Sequence, residues 1–366
     1  MSASLNEKLQ SVEWGEYRLG DLFESSNGNF DIQKEHINGK GDYVITAGLT
    51  NNGILGKTNV NAKVFNENTI TVDMFGFAFY RQFKYKMVTH ARVFSLIPKF
   101  TISKNQGLFL ANSLHFLNRK YGYENMCSWA KIINGVIQLP TQNGEIDFDF
   151  MERFIAELEE ERIAELTAYL KVSGLDNYEL SDEEKEALET FRELKWKSFN
   201  LENLFGKSTR GKRLKSADRI PGNLPFVTAG ETDEGISAFI GNDVEIYHSN
   251  TTTIDMFGSA KYRNYEYGGD DHVAVVHTEK LPMKAAIFVT TAIHRSSHNG
   301  QFDYGKNFYA KDADELWIML PVKGEDPDYD TMELIISAIQ KLVIKDVVLY
   351  SDKKIEATKQ IVNKSE

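Results

Sequence analysis

The sequence predicts an α+β protein written as one unit twice. Two pseudo-symmetric, mostly-β modules are joined by long antiparallel helices of coiled-coil character. Three observations carry this. Residues 69–80, TITVDMFGFAFY, return at 251–262 as TTTIDMFGSAKY, an offset of 182. The same offset pairs Trp14 with Trp196, Thr46-Ala47-Gly48 with Thr228-Ala229-Gly230, Arg81 with Arg263, Tyr85 with Tyr267 and His90 with His272. After one deletion, at an offset of 181, Leu139-Pro140 meets Leu320-Pro321 and Met151-Glu152 meets Met332-Glu333. A period this long marks duplicated domains, not a solenoid. Each copy then passes from short β-branched and aromatic runs to a stripe of helical period.

Taken in order, residues 14–26, WGEYRLGDLFESS, alternate apolar and polar and run into a turn, as a strand or short helix would. Residues 43–94 break into short strand-like runs, with Asn52-Gly53 as a hairpin-type turn. Residues 105–122 read as a helix with Leu108, Leu110, Leu114 and Leu117 on one face, and VIQLP returns to a strand that Pro140 ends. From Phe148 to about Val172 apolar residues fall at three- and four-residue steps between glutamates, a long amphipathic helix. Gly174 supplies a left-handed cap, and Ser181 with Glu184 forms a capping box for a second helix reaching Lys195. The second copy ends alike, with Leu334, Ile335, Ala338, Leu342, Val347, Val348, Ile355 and Val362 over residues 330–364. The expected layout is a first module at 1–146, a helical spacer at 147–195, a second module at 196–328 and a second spacer at 329–366. Apolar residues left over on the helices, such as Phe154 and Ile344, are expected to face a partner.

At 366 residues the chain can bury two cores. Its single cysteine, Cys127, excludes an internal disulfide framework and fits a reducing cytoplasm. The opening MSASLNEKLQ has no apolar core and is not read as a secretory signal, and no apolar run approaches membrane-spanning length. The net charge of −11 argues against nucleic acid until it is located. Residues 145–195 hold 17 acidic and 6 basic residues, so both repeats outside that segment are neutral in sum. A neutral domain with local basic clusters can hold phosphates.

Catalytic constellations are weak. FGKST at residues 205–209 ends like a phosphate-binding loop, but Leu201 stands where that motif needs glycine. His294 and His298 lack a third metal ligand. His90 and His272 read as buried, hydrogen-bonded histidines, and Asp73 and Asp255 as turn aspartates. No Asn/Asp-Pro-Pro-aromatic motif for amino-methyl transfer occurs. No catalytic residue, metal or cofactor is expected.

The remaining signal is basic and aromatic residues on loops. Copy one offers Arg81, Lys84, Lys86, Arg119 and Lys120; copy two offers Lys207, Arg210, Lys212, Arg213, Lys215, Lys261, Arg263 and Arg295. Such side chains neutralise phosphates and bridge base edges. The basic loops differ between copies while the framework (TAG, DMFG, YR, LP) is shared, which is what two readers on one scaffold require.

The opening Trp14-x4-Leu19-Gly20-Asp21-Leu22-Phe23, the block Thr71-Val72-Asp73-Met74-Phe75-Gly76, and Leu139-Pro140 leading into a long helix resemble the specificity subunit of multisubunit restriction-modification systems, either type I enzymes or type II systems with a separate specificity chain. The second copy departs in lacking the Gly-Asp pair between Trp196 and Phe205. The resemblance implies two target-recognition domains, each reading half of a bipartite site in double-stranded DNA. It implies helices that set the spacing and recruit two methyltransferase subunits, with a motor-nuclease subunit joining in type I, and no catalysis by this chain alone. A protein-interaction scaffold and a DNA-cleaving enzyme are the alternatives.

Overall fold

The computed structural model describes residues 3–365, and side chains as far as Ala357; Val362, counted in the second helical stripe, lies outside the described side chains. The chain divides into two compact units, Met1–Ala168 and Tyr169–Glu366.

The first unit opens with helix α1 (Ala3–Ser11), strand β1 (Glu13–Arg18), the single turn α2 (Leu19–Leu22) and β2 (Phe23–Asn27). Then come β3 (Asp42–Ile45), β4 (Ile54–Thr58), β5 (Thr69–Val72), β6 (Ala78–Arg81), β7 (Tyr85–Met87) and β8 (Phe94–Pro98). Helix α3 (Lys104–Ser113), the turn α4 (Trp129–Ile132), β9 (Val136–Gln142), β10 (Glu145–Ile146) and the long α5 (Phe148–Val172) complete it. The sheets run β1-β9-β10, β2-β8-β5-β6 and β4-β3-β7, the β3–β7 pair being parallel. One core lies between α3, the start of α5 and the four-stranded sheet, centred on Leu19, Ile70, Leu96, Leu110, Leu139 and Met151. A second, around Val44, Ile45, Tyr85 and Met87, backs the three-stranded sheet.

The second unit repeats this order. After α6 (Asp182–Glu189) come β11 (Trp196–Asn200), α7 (Leu201–Phe205), β12 (Thr209–Arg210), β13 (Pro221–Val227), β14 (Ile236–Ile240), β15 (Ile246–Tyr247), β16 (Thr251–Asp255), β17 (Ala260–Arg263), β18 (Tyr267–Gly269) and β19 (Val273–Val276). Helices α8 (Met283–Ser297) and α9 (Ala310–Asp314), strands β20 (Trp317–Lys323) and β21 (Asp326–Pro327), and α10 (Tyr329–Ser365) follow. Its sheets are β11-β20-β21, β12-β19-β16-β17 and β14-β13-β18-β15, with β13 and β18 parallel. Duplication therefore reaches the strand order, including the one parallel pair in each copy. The α+β class and the paired mostly-β modules with long helices hold.

Local signals explain the elements. Helix α5 ends where Gly174 takes φ +64 and the Leu175 N–H returns to the Leu170 carbonyl at 2.8 Å, a left-handed terminal cap. Ser181 Oγ accepts from Glu184 N, and Glu184 Oε2 accepts from Ser181 N, closing the capping box of α6. That helix stops at Glu189, short of Lys195, because the chain must swing Phe191 edge-on against Trp196 (ring centroids 5.8 Å apart) to enter β11. Helix α6 stands with the second unit, packed on α10 through Lys341 Nζ and Glu184 Oε2 at 2.8 Å. Its counterpart is α1: Leu5 and Ala187, at the 182 offset, are both buried, and Lys8 pairs with Glu157 of α5. Each repeat thus begins one short helix earlier than the sequence motifs suggest.

Two expectations on elements need correcting. Strand β9 runs through Pro140 to Gln142, because Pro140 lies opposite Trp14 and still offers its carbonyl to the Asp147 N–H at 2.8 Å. The predicted helix over 105–122 closes at Ser113 and continues only as a 3-10 turn, His115–Arg119. Phe154, expected to face a partner, is buried edge-on to Phe109 and stacked on Phe150.

Candidate nucleic-acid interface

The two modules share a buried polar frame. In the first, Arg81 donates from Nε to Thr71 Oγ1 at 2.9 Å and from Nη2 to the Asn52 carbonyl at 2.8 Å. In the second, Arg263 makes the same pair of bonds, to Thr253 Oγ1 at 2.9 Å and the Glu234 carbonyl at 2.8 Å. The carbonyls belong to turns whose central residues, Asn51-Asn52 and Asp233-Glu234, all have positive φ. Tyr85 and Tyr267 hydroxyls meet Thr69 and Thr251 at 2.8 and 2.9 Å. Asp73 accepts the N–H groups of Gly48, Phe75 and Phe77; Asp255 accepts those of Gly230, Phe257 and Ser259. Both aspartates are therefore the acceptors that knot the TAG and DMFG segments together.

This frame corrects the list of surface cations. Arg81 and Arg263 are 2% and 1% exposed and belong to the core. Burial pulls the Arg81 guanidinium down to about 10. Lys86 is buried too, donating to the carbonyls of Thr58 and Val60 and lying 3.4 Å from Asp42, although β7 is an edge strand of its sheet. Lys261 is largely covered, bonded to Glu231 at 3.2 Å and close to Asp255. None of these four is an exposed loop cation of the kind the sequence suggests.

Of the expected contact residues, those that are exposed are Lys84, Arg119, Lys120, Lys207, Arg210, Lys212, Arg213, Lys215 and Arg295. Lys84 lies in the turn between β6 and β7, while Arg119 and Lys120 end the 3-10 turn after α3, so the first module's cations sit on separate elements. Arg295 lines an apolar groove with Trp196, Phe288 and Ile335. Only Lys207, Arg210, Lys212, Arg213 and Lys215 are brought together, on the segment around β12. Arg210 is held by the Asp271 carbonyl at 2.6 Å and lies over the Tyr309 ring.

The histidines also differ from expectation. His90 and His272 sit on the turns after β7 and β18, where solvent reaches them, so they are not buried. His90 Nδ1 meets Asp31 at 2.6 Å, a bond that lowers the Asp31 carboxyl, and His272 Nδ1 lies 3.3 Å from Asp271. His294 accepts the Ala260 N–H, a structural bond. Among the described residues, Asp270, Asp271 and His272 come within 4.8 Å of one another as potential metal ligands. Asp270 already accepts the Leu214 N–H, however, and Asp271 pairs with Arg210, so both serve the basic loop. Gly206 ends α7 rather than opening a helix, which removes the phosphate-loop geometry from FGKST. Cys127 is buried, and burial with the nearby Asp73 charge pushes its thiol up to about 12.

Sequence reasoning missed one duplicated surface feature. Tyr123 and Tyr304 are 76% and 84% exposed, each edge-on to the phenylalanine of a DMFG turn, Phe75 at 4.9 Å and Phe257 at 5.2 Å. Backbone bonds from Cys127 to Met74 and from Phe308 to Met256 fix both tips. The offset of 181 between the tyrosines was the available signal.

Comparison with known proteins agrees with this architecture. Residues 11–168 match the family model described as the type I restriction modification DNA specificity domain. Over 340 residues, 91% of this chain and 96% of the relative, the sequence is 23% identical to the type II restriction enzyme specificity subunit S.BcgI of Heyndrickxia coagulans. The crystal structure of the type I restriction-modification S subunit from M. genitalium shares the fold, with a TM-score of 0.59 at 14% identity over 97% of this chain and 95% of that one. Together these support a specificity subunit of a restriction-modification system. Among the described residues, no helix is long and apolar enough to cross a membrane.

Proposed function

We propose that the chain is the non-catalytic DNA-specificity subunit of a cytoplasmic methyltransferase or methyltransferase–endonuclease complex, each module reading one half of a bipartite duplex site. The observation that carries this is the contrast between an interior repeated bond for bond (Arg81 with Thr71 and Asn52, Arg263 with Thr253 and Glu234) and loops that share no basic residues. A common frame with divergent exposed loops is what reading two different sequences demands, because phosphate contacts position and loop side chains specify.

The long helices act as spacer and docking surface in this reading. Helix α5, 25 residues, is about 37 Å long at roughly 1.5 Å per residue, close to the 34–36 Å or so of one duplex turn. Helix α10 leaves Ile339, Val343, Val347 and Tyr350 exposed at steps of four and three, one apolar stripe suited to a methyltransferase subunit. Four residues added to each spacer helix should lengthen the unspecified gap by about two base pairs and leave both half-sites intact. Mapping of methylated sites decides this; an altered half-site with an unaltered gap contradicts it.

A further inference from the structure

The basic residues of the second module are concentrated on one built loop, and the first module has no equivalent. Both loops leave their strand through a glycine pressed on the same neighbour. A Cβ on Gly28 would lie 2.7 Å from the Met87 carbonyl oxygen, and one on Gly211 2.3 Å from that of Gly269. Beyond the glycine the sequences part: Asn29-Phe30-Asp31 follows in the first module, Lys212-Arg213-Leu214-Lys215 in the second. Residues 207–223 carry six cations and one acid, Asp218, whereas residues 25–41 carry Lys34 and Lys40 against Asp31 and Glu35.

The second loop is also fixed in place. Lys212 N donates to the Gly269 carbonyl at 2.9 Å, Leu214 N to Asp270 Oδ1 at 3.1 Å, and Ile220 N to Asn242 Oδ1 at 2.8 Å. These bonds hold the backbone while Lys207, Lys212, Arg213 and Lys215 stay exposed. Among the described residues only Lys212 of these four has a carboxylate within 4 Å, Glu245 at 3.6 Å. In a chain of net charge −11, a pinned loop with this density of cations is suited to a polyanion.

We infer that the two modules grip DNA unequally: the loop of residues 207–219 clamps the phosphate backbone at the second half-site, and the first half-site is held with few phosphate contacts. This rests on the DNA-reading function proposed above. A backbone already held in place adds no loop-ordering cost on binding, so the second module supplies most of the salt-dependent affinity and the first contributes mainly through base contacts.

The test is a salt titration of the full chain on a fluorescent duplex of mixed sequence, comparing wild type, Lys212→Gln/Arg213→Gln/Lys215→Gln and Lys34→Gln/Lys40→Gln. Each lost phosphate contact lowers the slope of log affinity against log salt by about 0.9, so the triple variant should lose about 2–3 in slope and the double variant less than about 1. All five substitutions lie on exposed residues, and equal melting temperatures of the three proteins confirm an unchanged fold. Duplex binding with an unchanged slope in the triple variant, or an equal loss in both variants, overturns the unequal grip alone. Wild type that binds no duplex even at low salt overturns the DNA-reading function and the grip with it.

Discussion

Arg81 donates from Nη2 to the carbonyl of Asn52 at 2.8 Å, so a fully buried cation latches a turn whose two central residues have φ of 48° and 51°. Asparagine tolerates that left-handed backbone better than most residues. The guanidinium satisfies the Asn52 carbonyl, while its second bond ties the turn to β5 through Thr71. Removing it with Arg81→Met should leave both acceptors unpaired and cost about 2–4 kcal/mol. The first module's melting temperature should fall by roughly 5–10 °C. Arg81→Lys should not restore it, because an ammonium cannot span both acceptors as the planar fork does. Calorimetry checks this; unchanged melting with lost DNA affinity would return Arg81 to the surface.

The same residue shows where sequence reading succeeded and failed. The repeat, the bounds of α5, the cap at Gly174 and the capping box at Ser181 were legible because each rests on local chemistry. The roles of Arg81 and Arg263 were not, because an arginine after an aromatic run looks like a loop cation. The clue lay in the duplication itself: residues identical in both copies belong to the shared frame, and readers should differ. Lys86 had no such clue, since Gly268 takes its place, and only the strand packing shows it covered. Helix α1 was missed because Leu5 and Leu9 match Ala187 and Phe191 in position but not in type.

The ion pair of Glu184 and Lys341 should make the packing of α6 on α10 acid-sensitive. Burial works against the Glu184 charge, but hydrogen bonds from Lys341, Ser337 and the Ser181 backbone outweigh it and bring the carboxyl from 4.5 to about 2. A depressed carboxyl contributes stability that is present above its unfolded value and is lost as pH falls through the folded one. The contribution, about 3 kcal/mol, should therefore disappear between about pH 4.5 and pH 2. Lys341→Met should destabilise the second unit by about 3–5 kcal/mol at pH 7 by leaving a buried carboxylate unpaired. Urea unfolding at several pH values measures both effects; a variant as stable as wild type at pH 7 rules the pairing out.

Gly211→Ala should displace the basic loop, because a Cβ there would lie 2.3 Å from the carbonyl oxygens of both Gly269 and Asp270. The expected cost is about 1–3 kcal/mol, with loss of the salt-dependent part of DNA affinity. Gly300→Ala, where a Cβ meets nothing within 4 Å and only the φ of +84° resists, should cost about 1 kcal/mol and leave DNA affinity unchanged. Equal affinity for Gly211→Ala and wild type would show that the loop's placement is immaterial.

Cys127 should be silent towards thiol reagents. With the thiol pushed up to about 12, the thiolate is scarce at pH 8, and the buried sulfur is out of reach as well. Ellman's reagent should leave the native chain unmodified and titrate one thiol in urea. Rapid native labelling would mean that the DMFG turn and the Cys127 segment, joined by the bond to Met74, open together.

The central claim is that each module reads its own half of a split DNA site. The most direct measurement is genome-wide mapping of methylated bases in cells expressing the chain with its methyltransferase subunits, before and after the second module, residues 196–328, is replaced by the first, residues 14–146. Wild type should methylate two short defined sequences separated by a fixed unspecified run, and the exchange should change or abolish one half while the other half and the gap persist. A contiguous target, or an exchange that alters both halves together, would contradict the account.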